Sequence, residues 1–126
     1  QILEKKDKIF FSLIEADTKI DNGVIYFHKT IRIKKDLLFD EIKKIQLEEN
    51  LKLIEKFIKY YKNKQEIPNG KIQNGKSTIY RRRIPSDSKL DIDKTIKSQF
   101  NLLRISDNKN YPAFFKIYGK KFIIKI

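Results

Sequence analysis

The stretch "DLLFDEIKKIQLEENLKLIEKFIKYYKNK", residues 36–64, decides the architecture, because apolar residues recur in it at the three- and four-residue spacing of a helix. The recurring apolar residues are Leu38, Ile42, Ile45, Leu51, Ile54, Phe57, Ile58 and Tyr61. Asp36 can cap the first turn, and lysines crowd the last turns, where the helix dipole favours positive charge. The pattern predicts one long helix, or two helices with a break near residues 48–50.

Strand patterns lie on both sides of this helix. The stretch "VIYFHKTIRI", residues 24–33, follows an Asn-Gly turn and is rich in β-branched and aromatic residues, so it predicts a strand. The earlier "KIFFSLIEADTKI", residues 8–20, is apolar and fits either a helix or a strand. After the long helix, "STIYRRRI", residues 77–84, predicts a basic strand that Pro85 ends.

The C-terminal part predicts a second helix and a hairpin. The helix is expected within "SDSKLDIDKTIKSQFNLLRI", residues 86–105. Its apolar stripe consists of Ile92, Ile96, Phe100 and Leu103. The stretch "AFFKIYGKKFIIKI", residues 113–126, predicts a β-hairpin about Gly119. The sequence therefore predicts one small α+β domain over residues 1–126, with N-terminal strands, a long central helix or helix pair, a basic strand, a second helix and a C-terminal hairpin.

The composition excludes several kinds of site. The chain has 126 residues, 40% of them apolar, which is enough for a modest core in one domain. It has no cysteine, so disulfides, zinc ribbons and thiol catalysis are excluded, and a single histidine, His28, excludes multi-histidine metal sites. His28 lies among apolar residues of a predicted strand, so we interpret it as structural. No apolar run approaches about 18 residues, so no membrane span is predicted.

The distribution of charge is the strongest functional indication. Residues 1–66 hold 15 Lys and Arg against 12 acidic residues, whereas residues 67–126 hold 14 against 4. The chain also has 22 isoleucines beside one valine, which is typical of an AT-rich coding genome that raises lysine content. Such a bias acts on both halves alike, so it does not explain why residues 67–126 alone are strongly basic. The asymmetry predicts a polyanionic partner.

Residues 70–77, "GKIQNGKS", match the phosphate-loop pattern G-x-x-x-x-G-K-[ST]. A working phosphate loop follows a buried strand and opens a helix, so that backbone N–H groups face the phosphates. Here the polar stretch "NKQEIPN" precedes the match and the β-branched "TIYRRRIP" follows it. We therefore interpret the match as part of a repeated Asn-Gly-Lys turn and predict no cofactor.

The arginine run at Arg81, Arg82 and Arg83 is a candidate contact for a nucleic-acid backbone, because the guanidinium fork fits phosphate oxygens. The alternative is a solvated edge strand whose charges prevent aggregation. Further candidates lie on the polar side of the second helix and in the C-terminal hairpin. The complete set of predicted nucleic-acid-binding residues is Lys76, Tyr80, Arg81, Arg82, Arg83, Lys94, Lys97, Asn101, Arg104, Lys116, Lys120 and Lys121.

The end of the chain resembles a known DNA-binding family. The stretches "DIDKTI" and "AFFKIY", the late "YP" and a glycine before a final apolar strand resemble the last part of OmpR-class winged-helix domains. The usual Leu-Arg pairs of the recognition helix are missing, and the middle segment is long. The resemblance implies a winged-helix-like fold in which the second helix enters the major groove of DNA and the hairpin contacts phosphates.

The beginning of the chain resembles a second family. In "FFSLIEADTKI", residues 10–20, the letters of residues 13–17 are similar to the signature of LAGLIDADG homing endonucleases. Ser12 and Thr18 replace the glycines of that signature. The resemblance implies a helix that ends in Asp17, which would bind a divalent metal in an endonuclease or stand in an inactive relative.

Three functions remain open from the sequence. The favoured one is a nucleic-acid-binding domain that docks on phosphates, with duplex DNA favoured over RNA and no membrane partner. The second is the metal-dependent endonuclease with Asp17 in its site. The third is a basic module, secreted or effector-like, that binds an acidic protein. Unless the chain is such an endonuclease, the sequence predicts neither a catalytic residue nor a bound metal.

Overall fold

The computed structural model describes residues 2–18, 23–73 and 80–126. The elements run in the order β1 (Lys8–Ile14), β2 (Ile25–Arg32), α1 (Phe39–Lys64), a 3₁₀ turn (Pro85–Ser88), α2 (Ile96–Arg104), β3 (Ala113–Ile117) and β4 (Lys120–Ile124). β1 pairs with β2, and β3 pairs with β4, in two separate two-stranded antiparallel sheets. The predicted α+β class is confirmed. No helix in these ranges is long and apolar enough to cross a membrane.

The chain divides into two compact units. Unit 1 comprises Gln1–Asp7, Ile33–Lys43 and Ile79–Ile126, and unit 2 comprises Lys8–Arg32 and Lys44–Thr78. Unit 1 carries 17 Lys and Arg against 9 acidic residues, a net charge of +8, and unit 2 carries 12 against 7. Both units are therefore basic, and unit 1 more so.

Unit 2 is built on the β1–β2 hairpin. Lys8 pairs with Arg32 at one end of the ladder, and a bulge falls between Leu13 and Ile14 at the other. Alternate residues Ile9 and Phe11 are buried, as expected for strands with one face on a core. Residues 8–14 are thus a strand, and a helix ending in an acidic residue, as the endonuclease resemblance requires, is not formed there.

Unit 1 has a small apolar core in which α2 packs with the C-terminal hairpin. Leu90, Leu103 and Ala113 are buried at its centre. The partly buried residues around them are Phe100, Leu102, Phe115 and Ile124. The hairpin turns at Tyr118 and Gly119, which both have positive φ, 49° and 74°. Two left-handed residues are what a two-residue hairpin turn requires, so the predicted turn about Gly119 is confirmed.

The helix α1 is continuous, without the break considered near residues 48–50. Its buried side in unit 2 is formed by Glu49 and Leu53, and the ring of Phe57 packs 5.5 Å from that of Tyr26. Lys29 and Lys52 form ion pairs with Glu49, and Lys29 contributes most to lowering the pKa of this carboxyl. Four of the eight residues of the predicted apolar stripe, Leu51, Ile54, Ile58 and Tyr61, are exposed.

Two predicted elements differ from the structure. Residues 80–84, which include the arginine run, have no regular secondary structure, so the predicted basic strand is not formed there. The second helix begins only at Ile96, because Pro85 opens a 3₁₀ turn and Lys89 forms a bridge to Phe114. The Thr95 side chain then accepts a hydrogen bond from the Ser98 N–H and caps α2.

Candidate functional site: a basic cleft in unit 1

The helix α2 presents three of the predicted binding residues along one face. Lys97, Asn101 and Arg104 are spaced four and three residues apart, which places them on the same side of a helix. All three line a cleft of about 310 Å³. We call it the basic cleft, and its lining residues are Lys5, Lys6, Asp7, Lys35, Lys97, Ser98, Phe100, Asn101 and Arg104.

Three lysines give the cleft its positive charge. Lys5, Lys35 and Lys97 have no ion-pair partner among the described residues. Lys6 is different, because its ammonium lies 2.9 Å from the Glu4 carboxylate, which raises the pKa of Lys6. Lys5 has a positive φ of 60° and closes a turn in which its N–H donates to the Ile2 carbonyl over 3.0 Å.

The guanidinium of Arg104 is held by hydrogen bonds within unit 1. Its Nε donates to the Leu37 carbonyl over 2.9 Å, and one terminal nitrogen donates to the Lys34 carbonyl over 2.6 Å. The other terminal nitrogen donates to Asn101 Oδ1 over 3.3 Å. Arg104 is only 4% exposed. These hydrogen bonds hold the guanidinium in place and tie residues 34–37 to α2.

The arginine run divides into three different environments. Arg81 forms a two-nitrogen ion pair with Asp87, at 2.8 and 2.5 Å, and this guanidinium holds the pKa of Asp87 at about 2. Arg83 is half-buried and donates to Ser88 Oγ over 3.1 Å. Arg82 is exposed. Of the three arginines, Arg82 is thus the one whose side chain has no described side-chain partner.

The remaining predicted residues are distributed around unit 1. The Tyr80 hydroxyl donates to Glu4 Oε1 over 2.9 Å, which raises the pKa of Tyr80, and Lys94 pairs with Asp91 at 3.1 Å. In the C-terminal hairpin Lys116 lies directly opposite Lys121. Facing lysines repel each other across a sheet, so an anion bound beside them would relieve that repulsion. Lys120 is exposed in the same hairpin, and Lys76 lies outside the described residues.

Sequence reasoning missed Lys5, Lys6 and Lys35 as members of the site. They occur in the Lys-Lys pairs at residues 5–6 and 34–35 of a half that is near charge balance. They are separated from α2 by about 60 to 90 residues along the chain. The pairs were the only available signal, and nothing local indicated that they meet α2.

Unit 2 offers a second, larger cleft of about 510 Å³. It is lined mainly by apolar, aromatic and amide side chains, with His28, Lys56 and Lys71. His28 is exposed on β2. Asp17 is exposed and its Oδ1 accepts from the Thr18 N–H over 2.6 Å. The described residues contain no group of three His, Asp or Glu that could hold a metal ion.

Comparison with known proteins gives a likeness of fold. No family model and no curated protein matches this chain. Among solved structures, methionyl-tRNA formyltransferase from Clostridium thermocellum matches with a TM-score of 0.73 and 19% sequence identity. The match covers 98% of this chain and 57% of that protein, so this chain spans little more than half of it. At this identity the likeness establishes the fold alone.

This match corrects both resemblances drawn from the sequence. The fold is neither that of a winged-helix domain nor that of a LAGLIDADG endonuclease. The features that resembled a winged helix, a short helix followed by a hairpin with basic residues, are a local order of elements that different folds share. The endonuclease resemblance rested on five letters that here belong to β1 and the residues after it.

Proposed function

We propose that this chain is a segment of an enzyme that transfers a formyl group to a phosphate-bearing acceptor, and that it binds nucleic acid, in particular tRNA, in the basic cleft of unit 1. The observation that carries the proposal is the agreement of fold over 98% of this chain with a protein named methionyl-tRNA formyltransferase. The name of that protein supplies both the reaction and the class of acceptor. The formyl-transfer activity of the whole protein is part of the proposal.

The electrostatics of unit 1 support a polyanionic ligand. Lys5, Lys35 and Lys97 surround one cleft, and the buried guanidinium of Arg104 adds a fixed positive charge at its wall. Neutral oxygens accept all the described hydrogen bonds of this guanidinium, and Asp7 is the one carboxylate among the residues that line the cleft. Each lysine that neutralises a phosphate releases condensed counterions, which favours binding at low salt.

The printed name of the matching protein supports RNA over DNA as the ligand. The charge distribution favoured a polyanion, and duplex DNA was favoured through the winged-helix resemblance. The comparison of folds has corrected that resemblance. A structured RNA remains as the nucleic acid that the matching protein's name supplies. Duplex DNA is therefore the second arm of the experiment.

The test is a fluorescence-anisotropy titration of the protein with labelled tRNA, duplex DNA and single-stranded DNA over a range of salt concentrations. If the three cleft lysines each contact a phosphate, the variant Lys5→Gln/Lys35→Gln/Lys97→Gln should make the slope of log K against log salt shallower by roughly 2 to 3 units. The matched control is Lys59→Gln/Lys62→Gln/Lys64→Gln, which removes the same charge from exposed positions of α1 in unit 2.

Equal losses in the two triple variants would show that binding is unspecific attraction and not a property of the cleft. Tighter binding of duplex DNA than of tRNA would overturn the RNA assignment. Binding to an acidic protein with no binding to any nucleic acid would support the basic interaction module instead. The formyl-transfer part is checked by mass spectrometry of methionyl-tRNA incubated in a cell extract that supplies the formyl donor, with and without the whole enzyme of which this chain is a segment. Formylation no higher with that enzyme than in the extract alone would contradict it.

A further inference from the structure

The turn of the C-terminal hairpin, between β3 and β4, presents an exposed and strained tyrosine. Tyr118 is 94% exposed, the highest fraction of any large apolar or aromatic residue that the structure describes. Its φ of 49° lies in the left-handed region, which a bulky side chain rarely adopts. Asparagine is the residue that such a turn favours before glycine, and the chain has Asn before its three other glycines but Tyr before Gly119. Strained residues of this kind cluster at functional sites, so the ring of Tyr118 is a candidate for a binding role.

The strands beneath the turn are held together by aromatic contacts. Phe115 and Phe122 are cross-strand partners, and their rings stack with centroids 5.3 Å apart. The Lys121 ammonium lies 4.1 Å from the centre of the Phe114 ring, and Phe114 is buried. The hairpin is therefore ordered before any ligand arrives, so binding on Tyr118 requires little further ordering of the backbone.

Three lysines surround the turn. Lys116 and Lys120 lie two residues before and two residues after Tyr118, and Lys121 faces Lys116 across the strands. All three are exposed, and none has an ion-pair partner among the residues that the structure describes. Two residues of strand span about 7 Å, so an anionic group beside the Tyr118 ring lies within reach of the long lysine side chains.

Two carboxylates share a cleft with one of these lysines. Asp91 and Asp93 line that cleft together with Lys116. Lys120 and Lys121 are not among its lining residues. We therefore count Lys120 and Lys121, rather than Lys116, as the ammonium groups that are available to a ligand.

An exposed aromatic ring beside free ammonium groups is the combination that binds single-stranded nucleic acid, since bases stack on the ring and phosphates contact the lysines. The paired bases of a duplex cover each other's faces. A ring at a hairpin tip therefore stacks on a base that is unpaired, as in a loop, a bulge or a strand end. An acidic protein segment would use the lysines but would gain little from the ring.

We propose that Tyr118 stacks on an unpaired base of a bound RNA, while Lys120 and Lys121 contact the phosphates beside that base. The choice of RNA as the partner rests on the proposed function. The stacking contact is additional to the basic cleft, since the residues that line the cleft do not include the hairpin. The part of the RNA that this contact recognises is a single-stranded segment.

Fluorescence anisotropy with a labelled single-stranded RNA, the same strand with abasic sites, and a duplex RNA tests this contact. Tyr118→Asn removes the ring and suits the turn, so it should weaken binding of the intact single strand by roughly 5- to 100-fold. Binding of the abasic strand should change by less than about twofold, because this strand offers phosphates without bases, and binding of the duplex should change far less than that of the intact single strand. Tyr118→Phe should bind like the parent. The matched control is Tyr61→Asn, the same change at an exposed tyrosine of unit 2, which should leave binding unchanged.

Tryptophan fluorescence reports directly on stacking, since the chain has no tryptophan of its own. The single tryptophan of Tyr118→Trp should be quenched by the intact single strand and not by the abasic strand, whereas that of Tyr61→Trp should be quenched by neither. The Tm of Tyr118→Asn should not fall, because asparagine tolerates a left-handed backbone. A large fall in Tm would assign Tyr118 a structural role and overturn the proposal.

The stacking contact and the proposed function fail in different ways. If the parent binds tRNA and the Lys5→Gln/Lys35→Gln/Lys97→Gln variant loses affinity, but Tyr118→Asn binds the single strand as tightly as the parent, the stacking contact is wrong and the basic cleft stands. Equal weakening of the intact and the abasic strand by Tyr118→Asn would also rule out stacking. If the parent binds no nucleic acid at all, the proposed function is wrong and the stacking contact is wrong with it.

Discussion

Replacing Arg104 by Met should destabilise the protein by about 3 kcal/mol. Methionine keeps an unbranched stem of similar length, so the change removes the guanidinium with little loss of packing. The two short hydrogen bonds to the carbonyls of Lys34 and Leu37, at 2.6 and 2.9 Å, involve a charged donor. Such bonds contribute about 1.5–3 kcal/mol each. The variant no longer has to desolvate a buried charge, which offsets part of the sum and leaves about 3 kcal/mol.

Urea denaturation followed by circular dichroism measures this difference, and a thermal melt should show Tm lower by roughly 10 °C. The matched control is Arg82→Met, the same chemical change at an exposed arginine, which should stay within about 0.5 kcal/mol of the parent. Arg104→Lys should fall between the two, because one ammonium cannot reach both carbonyls as the fork does. If Arg104→Met were no more destabilising than Arg82→Met, the assigned role of the buried guanidinium would be wrong.

Two further predictions concern acid stability and a close backbone contact. The Arg81 guanidinium holds the pKa of Asp87 at about 2, below its ordinary value of 3.8, so the stabilisation is complete above that value and lost as the pH falls toward 2. The Tm difference between the parent and Asp87→Asn should therefore shrink over this interval, and a difference independent of pH would contradict the ion pair. Gly23→Ala should strongly destabilise unit 2 in a thermal melt, because a Cβ there would lie 1.9 Å from the Glu15 carbonyl oxygen. In Gly119→Ala the added Cβ meets no atom within 4 Å, so this variant should be destabilised by only about 1 kcal/mol, because of its positive φ. Equal melting of the two glycine variants would refute this reasoning.

The elements that the sequence predicted well are those decided by neighbouring residues. The strand at β2 follows from its β-branched and aromatic residues, and the hairpin turn follows from Gly119, because these preferences act over a few residues. The existence of α1 follows from its apolar spacing. The same spacing did not show which side is buried, since Leu53 lies in the core while Leu51 and Ile54 are exposed.

The features that the sequence did not reveal depend on contacts between distant segments. The basic cleft needs Lys5 and Lys35 to meet α2, and Arg104 is buried because the carbonyls of residues 34 and 37 accept its donors. Neither contact leaves a periodic pattern. The arginine run was expected in a strand because of its β-propensity. In the structure Arg81 forms an ion pair with Asp87, and Ser88 accepts a hydrogen bond from Arg83. These contacts suit an irregular segment before a 3₁₀ turn.

The division of the chain into units has a consequence for its synthesis on the ribosome. All of unit 2 precedes residue 79, whereas the core of unit 1 uses Leu90, Leu103 and Ala113. At about 5–20 residues per second, several seconds separate the two events, and domains made first tend to fold first. During this interval Lys5 and Lys35 are already synthesised but α2 is not. The basic cleft is therefore completed late, and a nascent chain that already contains a whole unit 2 does not yet have it.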